Sequence, residues 1–238
     1  MPSSHRPRLR GGRDDADSAV LVLHGGREHS FEVTAPLQLS YLRMLDMYVG
    51  LRRASNSCAV YLLRYRVRGW NPGSAEPDPV IDGRWALDHI RRRHGDVPVA
   101  LLGHSMGGRT AFGLADDESV VGVCGLAPWL PDGEPLPSHR PGQRFVIAHG
   151  TADQMTSSPL STSYAQRLRH SGATVAKFED AGGRHELLNH PGLWHRFAVQ
   201  TTLGLVGDRP MPVGVTNALA TNEAAGLQTP LPQFCRAG

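Results

Sequence analysis

The stretch GHSMGG, residues 103–108, places one serine between glycines, where the apolar run VPVALL gives way to the helix-like run RTAFGLAD. Nucleophilic acyl transfer needs a hydroxyl on a sharp turn, an imidazole that takes its proton, and a carboxylate that orients the imidazole. Flanking glycines let a strand and a helix approach closely while the serine stays exposed. Ser105 is therefore a candidate nucleophile, although glycines in such a turn also have a plain packing role.

Two further residues could complete this chemistry. His185 follows an apolar run in AGGRHELL, and Asp153 follows another in FVIAHGTA. We predict that His185 is the base and Asp153 the acid. Asp153 could instead cap the helix that begins near Ser158, because aspartate is favoured at that position.

Other side chains nearby compete for the same roles. Glu179 and Asp180 are alternative acids at the end of the last strand-like run, only a few residues before His185. His190 and His195 are alternative bases, but they lie further into a helix-like stretch. We prefer Asp153 and His185 because each directly follows a predicted strand.

The elements that must position these residues are short apolar runs alternating with longer amphipathic ones. The strand-like runs are AVLVLHGG, CAVYLLRY, VPVALLGHS, SVVGVCGLAP, RFVIAHG and ATVAKFEDA. Such alternation predicts an α/β fold, with a mainly parallel sheet of about six strands and helices on both faces. Ligands bind at the carboxyl ends of strands in these folds, and the serine, the aspartate and the histidine each fall at such an end.

Backbone N–H groups at the same edge could stabilise an oxyanion. The Met106 amide would lie at a helix N-terminus, where donors point outward and the helix dipole favours negative charge. The loop after the first strand-like run reads HGGR, and we assign the second donor to Gly26, with Arg27 as the near alternative.

Three more histidines, His24, His104 and His149, recur beside this edge and raise the question of a metal site. Each precedes a glycine or the nucleophile, which favours structural hydrogen bonds over metal ligation. No H-E-x-x-H or paired-cysteine spacing is present, so we expect neither a metal nor another cofactor.

Composition indicates one domain in the 238 residues, of which 40% are hydrophobic and 20% charged. The net charge is only +3 and the arginines are scattered, which argues against a nucleic-acid surface. An odd set of 3 cysteines, two of them in apolar runs, favours reduced thiols and a cytoplasmic location. No apolar stretch is long enough for a signal peptide or a membrane span.

The alternation of strand-like and helix-like runs also predicts the domain boundaries. We predict a flexible segment over residues 1–18, the folded domain over 19–206, and an irregular or disordered tail over 207–238. The tail is rich in Pro, Gly, Ala and Thr and lacks a sustained period.

Over residues 19–205 the chain resembles the α/β-hydrolase superfamily, through HGG at 24–26, GHSMGG at 103–108, HGTAD at 149–153 and GGRH at 182–185. The compact dienelactone-hydrolase-like and esterase/lipase-like branch looks most similar, since RYRVRGWN also resembles a loop of that branch. The resemblance implies that Ser105 is the nucleophile, His185 the general base and Asp153 the orienting acid.

The sequence also departs from that family. Too few residues precede Ala19 for the usual antiparallel strands, and only residues 130–143 separate two strand-like runs where helical lids are often inserted. We therefore expect little or no lid and a shallow, open pocket. Trp70, Trp129 and Met155 follow strand ends and are candidates to line an acyl pocket, with ordinary loop anchoring as the equal alternative.

These inferences combine into one functional hypothesis, a serine hydrolase that cleaves a small or medium carboxylic ester through an acyl-enzyme. The same residues would also serve a thioesterase, a lactonase or an acyltransferase. A non-catalytic ligand-binding protein built on the same fold is the remaining alternative, because fold alone does not establish function. In every case the partner is a small molecule, without nucleic acid or membrane.

Overall fold

The computed structural model describes residues 6–72, 76–221 and 224–235. The sheet strands are β1 (Arg8–Gly11), β2 (Ala19–Leu23), β3 (Ala59–Arg64), β4 (Val99–His104), β5 (Val120–Leu126), β6 (Arg144–Gly150), β7 (Thr174–Asp180) and β8 (Thr229–Pro230). The helices are α1 (Leu39–Ala54), α2 (Asp78–His94), α3 (Met106–Gly113), α4 (Ser158–His170), α5 (Pro191–Val206) and α6 (Val213–Ala220).

All strands form one sheet in the order β1-β3-β2-β4-β5-β6-β7-β8. The edge strand β1 pairs antiparallel with β3, and the remaining neighbours pair in parallel. Strand β2 lies between β3 and β4, with Val22 opposite Leu62 of β3 and Leu102 of β4. The predicted α/β fold with a mainly parallel sheet is confirmed.

Helices cover both faces of this sheet, which explains why its central strands are apolar throughout. All five residues of β2 are buried, and successive side chains enter opposite cores. Val20 and Val22 pack in a core with α1, α5 and α6. Leu21 and Leu23 pack in the other core with α2, α3 and α4.

Within the described residues the sheet has 8 strands rather than the predicted six or so. The two additional strands are short edge strands: β1 has 4 residues and β8 has 2. Strand β1 lies within the segment predicted to be flexible. Its alternating sequence RLRG leaves the arginines towards solvent while Leu9 packs against the adjacent core.

The predicted irregular tail after residue 206 also needs correction. Helix α6, two 3₁₀ turns (Ala224–Leu227 and Leu231–Cys235) and β8 follow that point. Val215, Leu231 and Phe234 are buried in the same core as α5. This segment packs onto the domain through single apolar residues in short elements. It has no repeating pattern of apolar residues that a sequence-based prediction could detect.

The connection in which a helical lid would be inserted leaves the carboxyl end of β5. Residues 127–143, which join β5 to β6, contain no helix, and the predicted absence of a large lid agrees with this. Within the described parts of the chain, no helix combines the length and the apolar character that crossing a membrane requires. The carboxyl ends of the parallel strands β2, β4, β6 and β7 lie at one edge of the sheet.

Candidate active site

Ser105 occupies a strained turn between β4 and α3, with φ 58° and ψ −122°. This left-handed φ is uncommon for a residue with a side chain and costs about 1–3 kcal/mol, so the surroundings must impose it. A Cβ on Gly103 would lie 2.1 Å from the Gly107 carbonyl oxygen, and one on Gly107 would lie 2.3 Å from that of Leu23. Only glycines at these two positions allow so close a passage of strand and helix.

The backbone around Ser105 is fixed while its hydroxyl is not. The Ser105 carbonyl accepts hydrogen bonds from the amides of Gly108, Arg109 and Trp129 at 3.0–3.2 Å. The hydroxyl has no hydrogen-bond partner among the described residues. It is therefore available to an incoming group, and such bonds often tighten only when substrate binds.

His185 and Asp153 form a direct hydrogen bond, with 2.8 Å between His185 Nδ1 and Asp153 Oδ2. Their loops, after β7 and β6, pack against each other, since the Ala152 amide donates to the Gly183 carbonyl at 3.0 Å. A Cβ on Gly150 would lie 2.3 Å from the same carbonyl oxygen. This close packing holds the histidine against the aspartate and leaves Nε2 as the ring nitrogen free to meet a hydroxyl.

Asp153 is surrounded by donors on both carboxylate oxygens. Its Oδ1 accepts the amides of Met155 and Thr156 at 2.8 and 2.9 Å. Burial raises the pKa of the Asp153 carboxyl, but the donors outweigh burial, the His149 and His185 rings most of all, and hold that pKa well below its usual range. Asp153 is thus a carboxylate at neutral pH.

Two of these donors were not assigned to the site by sequence reasoning. His149 Nε2 lies 3.2 Å from Asp153 Oδ2, and its Nδ1 lies 2.8 Å from the hydroxyl of Ser161. Thr156 Oγ1 lies 2.8 Å from the same carboxylate oxygen and 3.1 Å from His185 Nδ1. The four-residue spacing of His149 and Asp153 is the sequence signal that could have suggested the first contact.

The other two histidines at this edge are buried and neutral. His104 Nε2 donates to the His185 carbonyl at 2.9 Å, and the two rings lie 4.8 Å apart. Burial, aided by the neighbouring His185, holds the pKa of His104 well below its usual range. Burial lowers the pKa of His24 to about 4, and its Nδ1 lies 2.7 Å from the Gly25 carbonyl oxygen. His104 thereby supports the segment that carries His185.

Gly26 and Met106, whose amides are the predicted oxyanion donors, lie close together. Met106 begins α3, and a Cβ on Gly26 would lie 2.4 and 2.5 Å from Met106 Cε and Sδ. In the described structure no acceptor engages the amide of either residue. The Arg27 amide, the alternative donor, is committed to the Arg68 carbonyl at 2.8 Å. The geometry therefore favours Gly26 over Arg27.

The three candidate substrate-binding residues differ in their surroundings. Trp70 is buried, and its ring lies 6.2 Å from that of Trp129. The Arg109 guanidinium lies 4.0 Å from the Trp70 ring and 4.5 Å from the Trp129 ring, and it pairs with Glu134 at 2.6 Å. The tryptophans thus pack around a cation, whereas Met155 is 72% exposed.

The alternative acids have other partners. Asp180 accepts the Trp194 indole N–H at 2.8 Å and lies 3.0 Å from His190 Nδ1. Glu179 pairs with the buried Lys177 at 2.5 Å. His195 lies 3.9 Å from Asp46 on α1. None of these side chains replaces the contact between His185 and Asp153.

No group of three or more histidine, cysteine or acidic side chains in the described ranges is arranged to hold a metal ion. The serine turn after β4, the candidate oxyanion glycine after β2, and the aspartate and histidine after β6 and β7 all lie at the carboxyl edge of a mainly parallel sheet. A mainly parallel sheet covered by helices, with a serine at such a turn, defines the α/β-hydrolase fold.

Solved structures share this fold. An α/β hydrolase enzyme from a deep-sea metagenome of the Medee basin superposes with a TM-score of 0.65 at 15% identity, covering 84% of this chain and 93% of its own. A lidless α/β serine hydrolase from Xanthomonas campestris gives 0.59 at 13% identity, covering 83% and 87%. A carboxylesterase from Bacillus cereus gives 0.56 at 18% identity, covering 83% and 96%. No family model and no curated protein matches the sequence.

Proposed function

We propose that the protein is a serine hydrolase that cleaves carboxylic esters, with Ser105 as nucleophile, His185 as general base and Asp153 as the orienting acid. The observation that carries the proposal is the strained turn at Ser105 together with a buried histidine, His185, that is hydrogen-bonded to an ionised carboxylate and whose carbonyl is hydrogen-bonded to His104, the residue before Ser105. Structural neighbours described as a serine hydrolase and a carboxylesterase support it.

The reaction begins with attack of Ser105 Oγ on the ester carbonyl carbon. His185 Nε2 takes the hydroxyl proton, and Asp153 stabilises the imidazolium through Nδ1. The amides of Gly26 and Met106 bind the oxyanion of the tetrahedral intermediate. His185 then gives its proton to the leaving alcohol oxygen as the carbon–oxygen bond breaks.

The acyl-enzyme is hydrolysed by the same groups. His185 takes a proton from a water molecule, which attacks the acyl carbon, and the proton then returns to Ser105 Oγ as the acid leaves. No helix in the β5–β6 connection covers the site, and access of water favours hydrolysis over transfer of the acyl group to an alcohol.

Labelling with a small fluorophosphonate tests the proposal. Intact-mass analysis should show one adduct on the wild type and none on Ser105→Ala, with matching circular dichroism spectra for the two proteins. The wild type should also hydrolyse 4-nitrophenyl acetate, and Ser105→Ala should lose this turnover. A folded wild type that forms no adduct would refute the proposal and favour a ligand-binding protein.

A further inference from the structure

The segment of residues 27–39, which comprises most of the loop after β2 and the first residue of α1, exposes large apolar side chains beside the candidate active site. Phe31, Leu37 and Leu39 are 78–80% exposed, and Val33 is 45% exposed. Single exposed apolar residues are ordinary, but several from one short segment indicate a binding surface.

Part of this loop forms one wall of a groove of about 530 Å³. Val33, Ala35, Leu37 and Leu39 supply its apolar side chains. Gly26, Gln38, Ser40, Arg27 and Arg68 complete the lining. We call this the β2 groove.

The β2 groove adjoins the turn that carries the nucleophile. Gly26, which carries a proposed oxyanion donor, is itself part of the lining. A Cβ on the preceding Gly25 would lie 3.3 Å from Ser105 Cβ and 3.5 Å from Ser40 Cβ. A carbonyl bound at Ser105 can therefore extend one of its substituents directly into the β2 groove.

The strand order indicates which substituent this is. Ser105 follows β4, while Asp153 and His185 follow β6 and β7 on one side of it. The β2 groove is built from the segments after β2 and β3, on the opposite side of β4. Because His185 must protonate the leaving oxygen, the leaving group lies towards β6 and β7, and the acyl chain lies towards β2 and β3.

The other apolar surface near Ser105 is already occupied. Arg109 lies against the rings of Trp70 and Trp129 and pairs with Glu134. An aliphatic chain entering there would have to displace a half-buried ion pair, which is costly. The β2 groove requires no such displacement.

We propose that the β2 groove binds the acyl chain of the ester, and that the preferred substrates carry an unbranched aliphatic acyl group of medium length. This inference rests on the proposed serine hydrolase function. It assigns acyl-chain specificity to Val33, Leu37 and Leu39 rather than to the tryptophans.

A chain-length series with one leaving group tests this inference. Full burial of a methylene changes a rate constant about fourfold, and a groove open on one side should give about half that free energy, or roughly twofold per methylene. For the wild type, kcat/KM for 4-nitrophenyl octanoate, which has four more methylenes, should exceed that for the butyrate by roughly 15-fold, with both esters kept below the concentration at which they aggregate. The double variant Leu37→Ser/Leu39→Ser should lose most of this ratio and keep its rate on the acetate.

Leu188→Ser is the matched control, because Leu188 is 67% exposed but lies outside the β2 groove, in the loop after His185. This variant should keep the full octanoate preference. Loss of the preference in Leu188→Ser to the same extent would overturn the inference, because adsorption on any exposed apolar residue would then explain it. A flat profile in the wild type would also overturn it.

A second series separates the acyl chain from the alcohol and the inference from the proposed function. With alkyl acetates of increasing alcohol length, kcat/KM should depend on length in the same way for the wild type and for Leu37→Ser/Leu39→Ser. A length dependence that the double variant loses would place the alcohol in the β2 groove. A methylphosphonofluoridate should label Ser105 in wild type and variants alike, and an octylphosphonofluoridate should label the wild type roughly tenfold or more faster than the double variant. Failure of the methyl reagent refutes the hydrolase, whereas equal rates with the octyl reagent refute only the acyl groove.

Discussion

Replacing Gly26 with alanine should reduce turnover of every ester without unfolding the protein. The added Cβ would lie 2.3 Å from the Arg68 carbonyl oxygen and 2.4–2.5 Å from the end of the Met106 side chain. Met106 can move its thioether, but the Arg68 carbonyl is held by the Arg27 amide. The loop must therefore retreat by about 1 Å to restore an ordinary contact.

A displacement of this size moves the Gly26 amide out of the proposed oxyanion hole. Misplacing a group by about 1 Å costs roughly 100-fold in rate, and loss of one oxyanion donor costs about 100- to 1000-fold. We therefore expect kcat on 4-nitrophenyl acetate to fall about 100-fold or more, with KM changed much less. The steric strain should lower the free energy of unfolding by about 1–3 kcal/mol, which urea titration measures.

Gly192→Ala is the control, because nothing lies within 4 Å of a Cβ at that position in the first turn of α5. Its kcat should match that of the wild type. A folded Gly26→Ala protein with kcat within about threefold of the wild type would refute the assignment of the oxyanion donor, since the worked displacement predicts a loss far larger than that.

Three other predictions concern the stability of the site and of the fold. Asp153→Asn should lower kcat by about 10⁴-fold, and it should also flatten the pH dependence of stability. The pKa of Asp153 is lowered in the folded state, so its contribution is present above the unfolded value near 3.9 and is lost as pH falls below it. Between pH 5 and pH 3 the wild type should lose more free energy of unfolding than Asp153→Asn; an equal loss would contradict the ionised carboxylate. Ser105→Gly should be about 1 kcal/mol more stable in urea than Ser105→Ala, because only glycine relieves the positive φ, and equal midpoints would contradict the strain. Phe234→Ala should cost about 3–5 kcal/mol in thermal or urea unfolding while leaving kcat unchanged, because Phe234 is buried against Phe197 with ring centroids 5.4 Å apart.

The central strands could be predicted because both faces of the sheet are covered. Doubly covered strands such as AVLVL leave a continuous apolar run that is readable without any partner. Strands β1 and β8 leave no such run, since each is short and lies at an edge. Their pairing depends on neighbours that are distant in the sequence. The same holds for the segment after residue 206, whose few apolar side chains find partners only in the folded chain.

Some features of the candidate site could likewise be predicted from the sequence, and others could not. The positions of Asp153 and His185 at neighbouring strand ends follow from strand order, and the structure places their side chains 2.8 Å apart. Their catalytic roles stay a prediction. The contacts of His149 and Thr156 with the carboxylate depend on how one turn folds back, and a single sequence gives little sign of this. The packing of Arg109 between Trp70 and Trp129 likewise requires two loops and a helix to meet.

The loop after β2 carries both the proposed oxyanion donor and the β2 groove, yet it is anchored so that the two are separable. Several backbone hydrogen bonds join it to the segment after β3, among them those from the Arg27 amide to the Arg68 carbonyl and from the Arg68 amide to the Glu32 carbonyl, at 2.8 and 2.9 Å. Leu37 and Leu39 lie beyond these bonds and expose their side chains. Substitutions there should alter the acyl-chain preference and leave the acetate rate intact, whereas Gly26→Ala should slow acetate and octanoate by the same factor. A Gly26→Ala protein that lost its chain-length preference together with its acetate rate would show that one rigid unit serves both tasks and would refute this separation.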